Sequence, residues 1–238
     1  MMVASGPVLG VLGGMGPLAT ATFLRRFVAA ASREPDRLAI PVVVNSNPAI
    51  PDRTAFLLGA GPDPQPALVN SATALRRAGA TCAVIPCNTA NVFAQRIERD
   101  SRLPIVPWLD LAVATAARLG RSPIGVLATD GTLKSGVYQQ RLSAARIPFL
   151  VPPPEVQRLV MSVIYGPNGI KARSRWTRTA AAGLARVSAL MEGIGCGSLL
   201  LACTELPLAI GPEPQLSLPA IDPAQSAVEF VLNGIRSQ

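Results

Sequence analysis

Short apolar runs, each closed by glycine, proline or a small polar residue, alternate along this chain with longer stretches whose apolar positions recur at helical spacing. Residues 8–12 form the first run and end in Gly13-Gly14-Met15-Gly16-Pro17, where the glycines suit a tight strand-to-helix turn and Pro17 the first helical position. A helix is predicted from there to about Ser32, with Phe23, Phe27 and Ala30 on one face. Residues 40–45 predict a second strand, followed by a loop holding Pro48, Pro51 and Asp52-Arg53-Thr54. Leu68, Ala72 and Leu75 give a helical stripe that stops at Gly79. A strand over 82–86 comes next, and a helix after Asn88. Then follow a brief strand at 105–107, a helix over 109–119 capped by Gly120, and a strand over 124–128 that Thr129-Asp130-Gly131-Thr132 turns into another helix. A strand at 149–151 and a helix over 155–165 lead through Gly166-Pro167-Asn168-Gly169 to Lys171. A helix over about 176–192, the strand that ends at Cys203 and a closing helix over 224–235 complete the chain. Strands alternating with helices predict an α/β fold of parallel sheet with helices on both faces.

The pattern repeats. Gly10-Val11-Leu12 returns as Gly125-Val126-Leu127, Gly79 as Gly195 and Cys87 as Cys203, while Ile40-Pro41 matches Ile147-Pro148 at a slightly shorter offset. Several matches in one order predict a duplicated α/β unit. Two similar domains related by a pseudo-two-fold axis would bring equivalent strand ends together at the cleft between them.

Composition narrows the chemistry. Charged residues are 15% and aromatics 4% of 238 residues, a compact α/β composition. The net charge of +8 invites a nucleic-acid reading, but the basic residues are scattered, and no aromatic ladder or DNA-reading motif accompanies them. No nucleic-acid partner is expected, and a basic surface that draws in small anions is. Residues 6–24 carry no charge, yet glycines and prolines break the run and no basic residue precedes it, so a soluble, unprocessed chain is expected, with no membrane partner. Four cysteines, at 82, 87, 196 and 203, have neither zinc-ribbon nor Cys-x-x-Cys spacing and read as free thiols in a reducing compartment. Histidine is absent altogether. That excludes Ser-His-Asp and Cys-His hydrolases, whose general base is an imidazole.

Cys87 and Cys203 each close an apolar run and precede a predicted helix start, whereas Cys82 and Cys196 sit early in their runs and read as inert buried residues. A helix start lies at the positive end of the macrodipole, and donors from Asn88, Thr89 or Thr204 add to it. The expectation is a thiol pKa drawn from about 8.5 toward neutrality. With one thiolate and one thiol flanking a carbon acid, a proton leaves one face and a different proton arrives at the other, inverting the centre without a cofactor. Charge developing on a carboxylate would be met by backbone N–H groups of the glycine-rich turn, at Gly14 and Met15, and by threonine hydroxyls. Arg53 and Lys171, in proline- and glycine-rich loops, are candidates to pair with a substrate carboxylate, and Asp130 and Glu205 read as residues that cap or orient helix starts, with an acid–base role as the alternative. A dinucleotide turn is approximated by Gly14-x-Gly16-x-x-Ala19, but Asn45 stands where an acidic residue should end the second strand.

Six ordered motifs resemble the aspartate racemase branch of the aspartate/glutamate racemase superfamily. They are Gly13-Gly14-Met15-Gly16-Pro17, Ile50-Pro51-Asp52-Arg53-Thr54, Pro86-Cys87-Asn88-Thr89-Ala90, Ala128-Thr129-Asp130-Gly131-Thr132, Tyr165-Gly166 with Gly169-Ile170-Lys171-Ala172, and Cys203-Thr204-Glu205-Leu206-Pro207. The resemblance implies a two-base racemase needing no cofactor and no metal, with Cys87 and Cys203 as the catalytic pair. It implies that Asn88, Thr89, Thr129, Thr132 and Thr204 hold the α-amino and α-carboxylate groups, and that Arg53 and Lys171 hold a side-chain carboxylate. An acidic amino acid as partner and a homodimer are implied as well, while the reducing compartment read from the cysteines makes a cytoplasmic location the expectation. The resemblance also implies a C-terminal helix returning to the first domain, which sets the expected division at 1–107 plus 212–238 and 108–211. Asn91 and Ala202 depart from the branch, which commonly has His and Gly there. A broader-specificity racemase, a related isomerase and a catalytically silent amino-acid-binding protein are the competing readings.

Overall fold

A computed structural model describes residues 6–31, 40–211 and 216–236. Two parallel sheets organise it. In the first, β1 (Leu9–Gly13) lies between β2 (Val42–Ser46) and β3 (Cys82–Val84), and Ile105 adds a single bridge beside Ala83. In the second, β4 (Ile124–Ala128) lies between β5 (Phe149–Leu150) and β6 (Ser198–Ala202), with β7 (Ala220–Ile221) beyond β6. The helices are α1 (Pro17–Ala31), α2 (Arg53–Leu57), α3 (Gln65–Arg77), α4 (Ala94–Ser101), α5 (Trp108–Leu119), α6 (Asp130–Ser135), α7 (Val137–Ala144), α8 (Pro154–Tyr165), α9 (Ile170–Arg173), α10 (Arg178–Gly193), α11 (Leu206–Ala209) and α12 (Pro223–Arg236).

The repeat seen in the sequence is a repeat of hydrogen bonds. Leu9 N–H donates to Pro41 O and Ile124 N–H to Pro148 O, while Ala83 N–H donates to Pro104 O and Leu199 N–H to Pro219 O. Gly79 and Gly195 hold φ of 97° and 95°, a left-handed turn that glycine adopts without steric cost, and each stops the helix before its strand.

Side-chain alternation along each strand divides the interior into layers. Leu9 and Val11 pack with Phe23, Phe27, Trp108 and Ala112, and the same core receives Val126 and Leu200 of the second sheet. Leu12 faces away, toward Leu68 and Leu75 of α3. Leu127, Leu199 and Leu201 likewise face Val160, Leu184 and Val187 of α8 and α10. The first core therefore belongs to both sheets. Each fully buried Leu or Phe there contributes about 1.5–3 kcal/mol, which makes this shared layer the main bond between the halves.

The structure redraws several expected boundaries. The stretch expected to be a loop after β2 contains α2, started by Asp52, whose carboxylate accepts from Ala55 N–H at 2.9 Å. The turn at 129–132 opens two helices, because Gly136 at φ 70° ends α6 before α7 begins. The Ser32 end of the first predicted helix falls outside the described residues. Residues from 212 onward were expected in the first domain, yet β7 joins the second sheet, where two residues of strand between Pro219 and Pro223 were too short to give a pattern. α12 packs on helices from both expected domains, with Asp222 just before it ion-paired to Arg26 of α1, and Ser226 bonded to Thr115 of α5 at 2.9 Å. Among the described residues no helix is long and apolar enough to cross a membrane.

The cleft walls meet where Gly131 of α6 passes Thr54 of α2. A Cβ at 131 would stand 2.7 Å from Thr54 Cα, a backbone atom that cannot rotate aside. Gly131→Ala should destabilise the chain by about 1–3 kcal/mol through this overpacking, measured as a lower urea midpoint with an unchanged slope. An unchanged midpoint would show that the two walls do not approach this closely.

Candidate active site

Cys87 lies three residues beyond β3, in a tight turn closed by its own N–H donating to Ile85 O at 2.7 Å. It keeps the side-chain parity of Ala83 and Ile85 in the core under α3. Cys203 directly follows β6 and keeps the parity of Leu199 and Leu201. Both are free thiols and both are 5% exposed. Lys171, the first residue after Ile170 in the short α9, lies within electrostatic reach of both sulfurs.

Hydroxyls bridge the halves between them. Thr129 Oγ1 lies 3.0 Å from Thr54 Oγ1, 3.0 Å from Thr132 Oγ1 and 3.4 Å from Thr89 Oγ1, and Thr89 and Thr132 meet at 2.8 Å. Thr89, Thr129 and Thr132 were predicted site residues, and the structure brings them together. Thr54, in one of the quoted motifs but given no role, joins them. Thr129 rather than Asp130 caps α6, its Oγ1 accepting from Thr132 N–H at 3.3 Å. Asp130 instead accepts from Gln157 Nε2 at 2.6 Å.

The charged groups gather on the glycine-rich turn. Arg53, 6% exposed, donates through Nη1 to Ile50 O and Pro51 O and through Nη2 to Met15 O at 3.0 Å, so much of its guanidinium fixes loops. Its Nε is buried without a partner among the described residues. Lys171 Nζ reaches the same Met15 O at 3.4 Å and sits 5.0 Å above the Tyr165 ring. Met15 thus enters as an acceptor. Gly14 N–H, expected to face a carboxylate, is committed to Thr20 Oγ1 at 2.9 Å, and a Cβ at this φ of 96° would stand 2.4 Å from the Asn47 backbone.

Glu205 does not cap α11. Its Oε2 accepts from Cys203 Sγ at 3.1 Å and Thr204 Oγ1 at 3.2 Å, and its Oε1 lies 3.8 Å from Lys171 Nζ. Sequence reasoning also missed the partners of Asn88, whose Oδ1 accepts from Trp108 Nε1 at 2.9 Å and from Tyr138 OH. One signal was available: the chain has only two tyrosines, and Tyr138 and Tyr165 both touch this site. Asn91 donates to Ile85 O and Cys87 O at 2.8 Å each, bracing the Cys87 turn.

The sequence matches the family model for Asp/Glu/Hydantoin racemase over residues 12–231. The chain belongs to this family. Among solved structures it is similar to the aspartate racemase of Picrophilus torridus, with a TM-score of 0.83 and 25% identity over 97% of this chain and 95% of that one. The fold also matches a glutamate racemase of Francisella tularensis, solved with D-glutamate, with a TM-score of 0.68 at 17% identity over 99% and 82% of the two chains. By sequence it is 35% identical to a glutamate racemase of Pseudomonas aeruginosa over 54% of this chain and 47% of that protein. It is 24% identical to a broad specificity amino-acid racemase of Bacillus subtilis over 57% and 60%. The matched stretch thus spans about half the length of these relatives.

In this member of the Asp/Glu/Hydantoin racemase family the second cysteine differs from the low-pKa thiol expected at a helix start. Burial, and then the Glu205 carboxylate, push the Cys203 thiol well above its ordinary value, and Lys171 offsets only part of this. The helix that follows, Leu206–Ala209, is a single turn and contributes little dipole. Burial would lower the Lys171 pKa, but Glu205 foremost, with Tyr165 and the two cysteines, holds it above its ordinary value. Cys203 therefore holds its proton, and Lys171 its charge, at neutral pH.

A thiol whose folded pKa is raised stabilises the fold fully below its unfolded value and progressively less as pH climbs toward the folded one. Glu205→Gln removes the carboxylate that favours the neutral thiol while keeping side-chain volume. Iodoacetamide labelling of Cys203 at pH 8.5, read by peptide mass spectrometry, should then rise about tenfold over the parent. Equal rates would show that Glu205 does not hold the proton on Cys203.

Proposed function

We propose that this protein is a cofactor-independent amino-acid racemase, acting foremost on aspartate, in which Cys87 and Cys203 exchange the α-proton from opposite faces of the substrate. The observation that supports this reading is that two buried thiols from equivalent strand ends both lie in the field of one partly buried lysine. Cys203, donating to Glu205, is the acid of the resting site. Cys87, as thiolate, removes the α-proton of one enantiomer, the electron pair passes into the carboxylate, and Cys203 delivers its own proton to the other face. The two sulfurs then stand in exchanged protonation states, and the same steps run in reverse for the other enantiomer.

The remaining residues answer the charges of a dicarboxylic amino acid. The hydroxyls of Thr89, Thr129, Thr132 and Thr204 and the amide of Asn88 offer donors and acceptors to the α-amino and α-carboxylate groups. Lys171, with the Arg53 donors not committed to loops, answers the side-chain carboxylate. With Cys87 and Cys203 5% exposed and the threonines bonded to one another, the cleft must part to admit substrate and close to exclude water. The motif resemblance and the Picrophilus torridus aspartate racemase support aspartate over glutamate. The motif resemblance also supports a homodimer, and the free thiols support a reducing, cytoplasmic location.

The test is racemisation of L-aspartate, L-glutamate and L-alanine followed by circular dichroism without added cofactor. The parent should act on aspartate most efficiently. Cys87→Ala and Cys203→Ala should each lose activity by about 10³-fold or more while keeping the parent's thermal midpoint. Substantial racemisation by either variant would refute the two-thiol reaction, and inactivity of the parent on all three would favour a silent amino-acid-binding protein.

A further inference from the structure

Asn88 follows the first cysteine, and its side chain is held unlike any other amide in the site. It is 1% exposed, with Oδ1 engaged by Trp108 Nε1 and Tyr138 OH, while Nδ2 is buried without a partner among the described residues. A buried amide N–H₂ with no acceptor costs about 1–3 kcal/mol unless something arrives to accept from it. Turning the amide over does not relieve this. An indole N–H can only donate, so the reversed amide would set N–H₂ against Trp108 Nε1 and leave the oxygen without either donor.

Both partners are themselves immobilised. Trp108 opens α5 and is 1% exposed, with its ring 6.3 Å from Phe23 in the shared core. Tyr138 lies in α7, is fully buried, and is kept un-ionised by that burial, so its hydroxyl remains a donor. Neither belongs to the loops that carry the thiols and threonines. The grip on Asn88 therefore comes from the layer between the two sheets, and the edge of the amide away from the two rings is the edge left free.

We propose that Trp108 and Tyr138 are positioning residues, locking Asn88 with its Nδ2 as a fixed donor for the carboxylate of the bound amino acid. The ligand's identity rests on the racemase reading above; the lock itself rests on the three side chains. A pre-aimed donor needs no reorganisation when carboxylate charge grows during α-proton removal, which is where such a donor helps most.

A double-mutant cycle separates this from a packing role. Tyr138→Phe keeps the ring and removes the hydroxyl donor, and Asn88→Ala removes the amide. Against L-aspartate, Tyr138→Phe should lower kcat/KM about tenfold and Asn88→Ala about 100-fold. The double variant should match Asn88→Ala within about twofold, because the hydroxyl acts only through the amide. Trp108→Phe in the same cycle should behave alike. If the losses multiply, Tyr138 and Trp108 act by packing and the proposal falls, while a racemising parent leaves the racemase reading intact. The same cycle on the calorimetric Kd for L-aspartate covers a parent that binds without turnover. Coincident Kd values for Asn88→Ala and the double variant then support the lock though racemisation fails, and multiplied losses overturn it. A parent that neither turns over nor binds aspartate overturns both.

Discussion

A carboxylate buried as deeply as Glu205, at 3% exposure, cannot stand alone. It needs a cation and donors within reach, and Lys171, Thr204 and Cys203 supply them from α9 and the end of β6. This requirement fixes the second half of the site. It draws Lys171 in from a glycine-rich loop, sets that ammonium against the Met15 carbonyl of the opposite half, and gives Cys203 an acceptor for its proton. Gly16 belongs to the same arrangement, since a Cβ there would lie 3.2 Å from Glu205 Oε1. At Gly16 the glycine-rich turn thus meets Glu205 across the cleft.

The duplication supplies the frame and the departures from it supply the chemistry. Strand order, proline-carbonyl hydrogen bonds and glycine stops repeat between the halves, so the two cysteines arrive on matching strand ends with the same parity. Their surroundings do not repeat. Cys203 faces a carboxylate, whereas Cys87 lies in a turn braced by Asn91. In the proposed reaction this asymmetry distinguishes the acid of the resting site from the base, although the scaffold is nearly symmetric.

Much of this was legible in the chain. Apolar runs closed by Gly13, Cys87, Thr129 and Cys203 marked the strand ends, and the cysteine spacing marked the repeat, because strand parity and glycine turns leave local signatures. β7 left none, being two residues long between prolines. Asn88, Thr89, Thr129 and Thr132 were also readable as site candidates from their motifs. What local pattern could not carry was partnership. Glu205 read as a helix cap because the sequence shows Cys203-Thr204-Glu205 but not the lysine that meets it. Arg53 read as a free cation because the Met15 carbonyl it grips is 38 residues away. Trp108 and Tyr138 carried no local signal, since their bonds to Asn88 span 20 and 50 residues.

In the proposed reaction two different groups handle the α-proton. The direct measurement is the isotope pattern early in the reaction of L-aspartate in heavy water, with the enantiomers separated before mass spectrometry. Two bases predict that the newly formed D-aspartate carries α-deuterium while the remaining L-aspartate stays protiated. Deuterium appearing equally early in both enantiomers, or D-aspartate formed with the original proton, would exclude a two-base exchange.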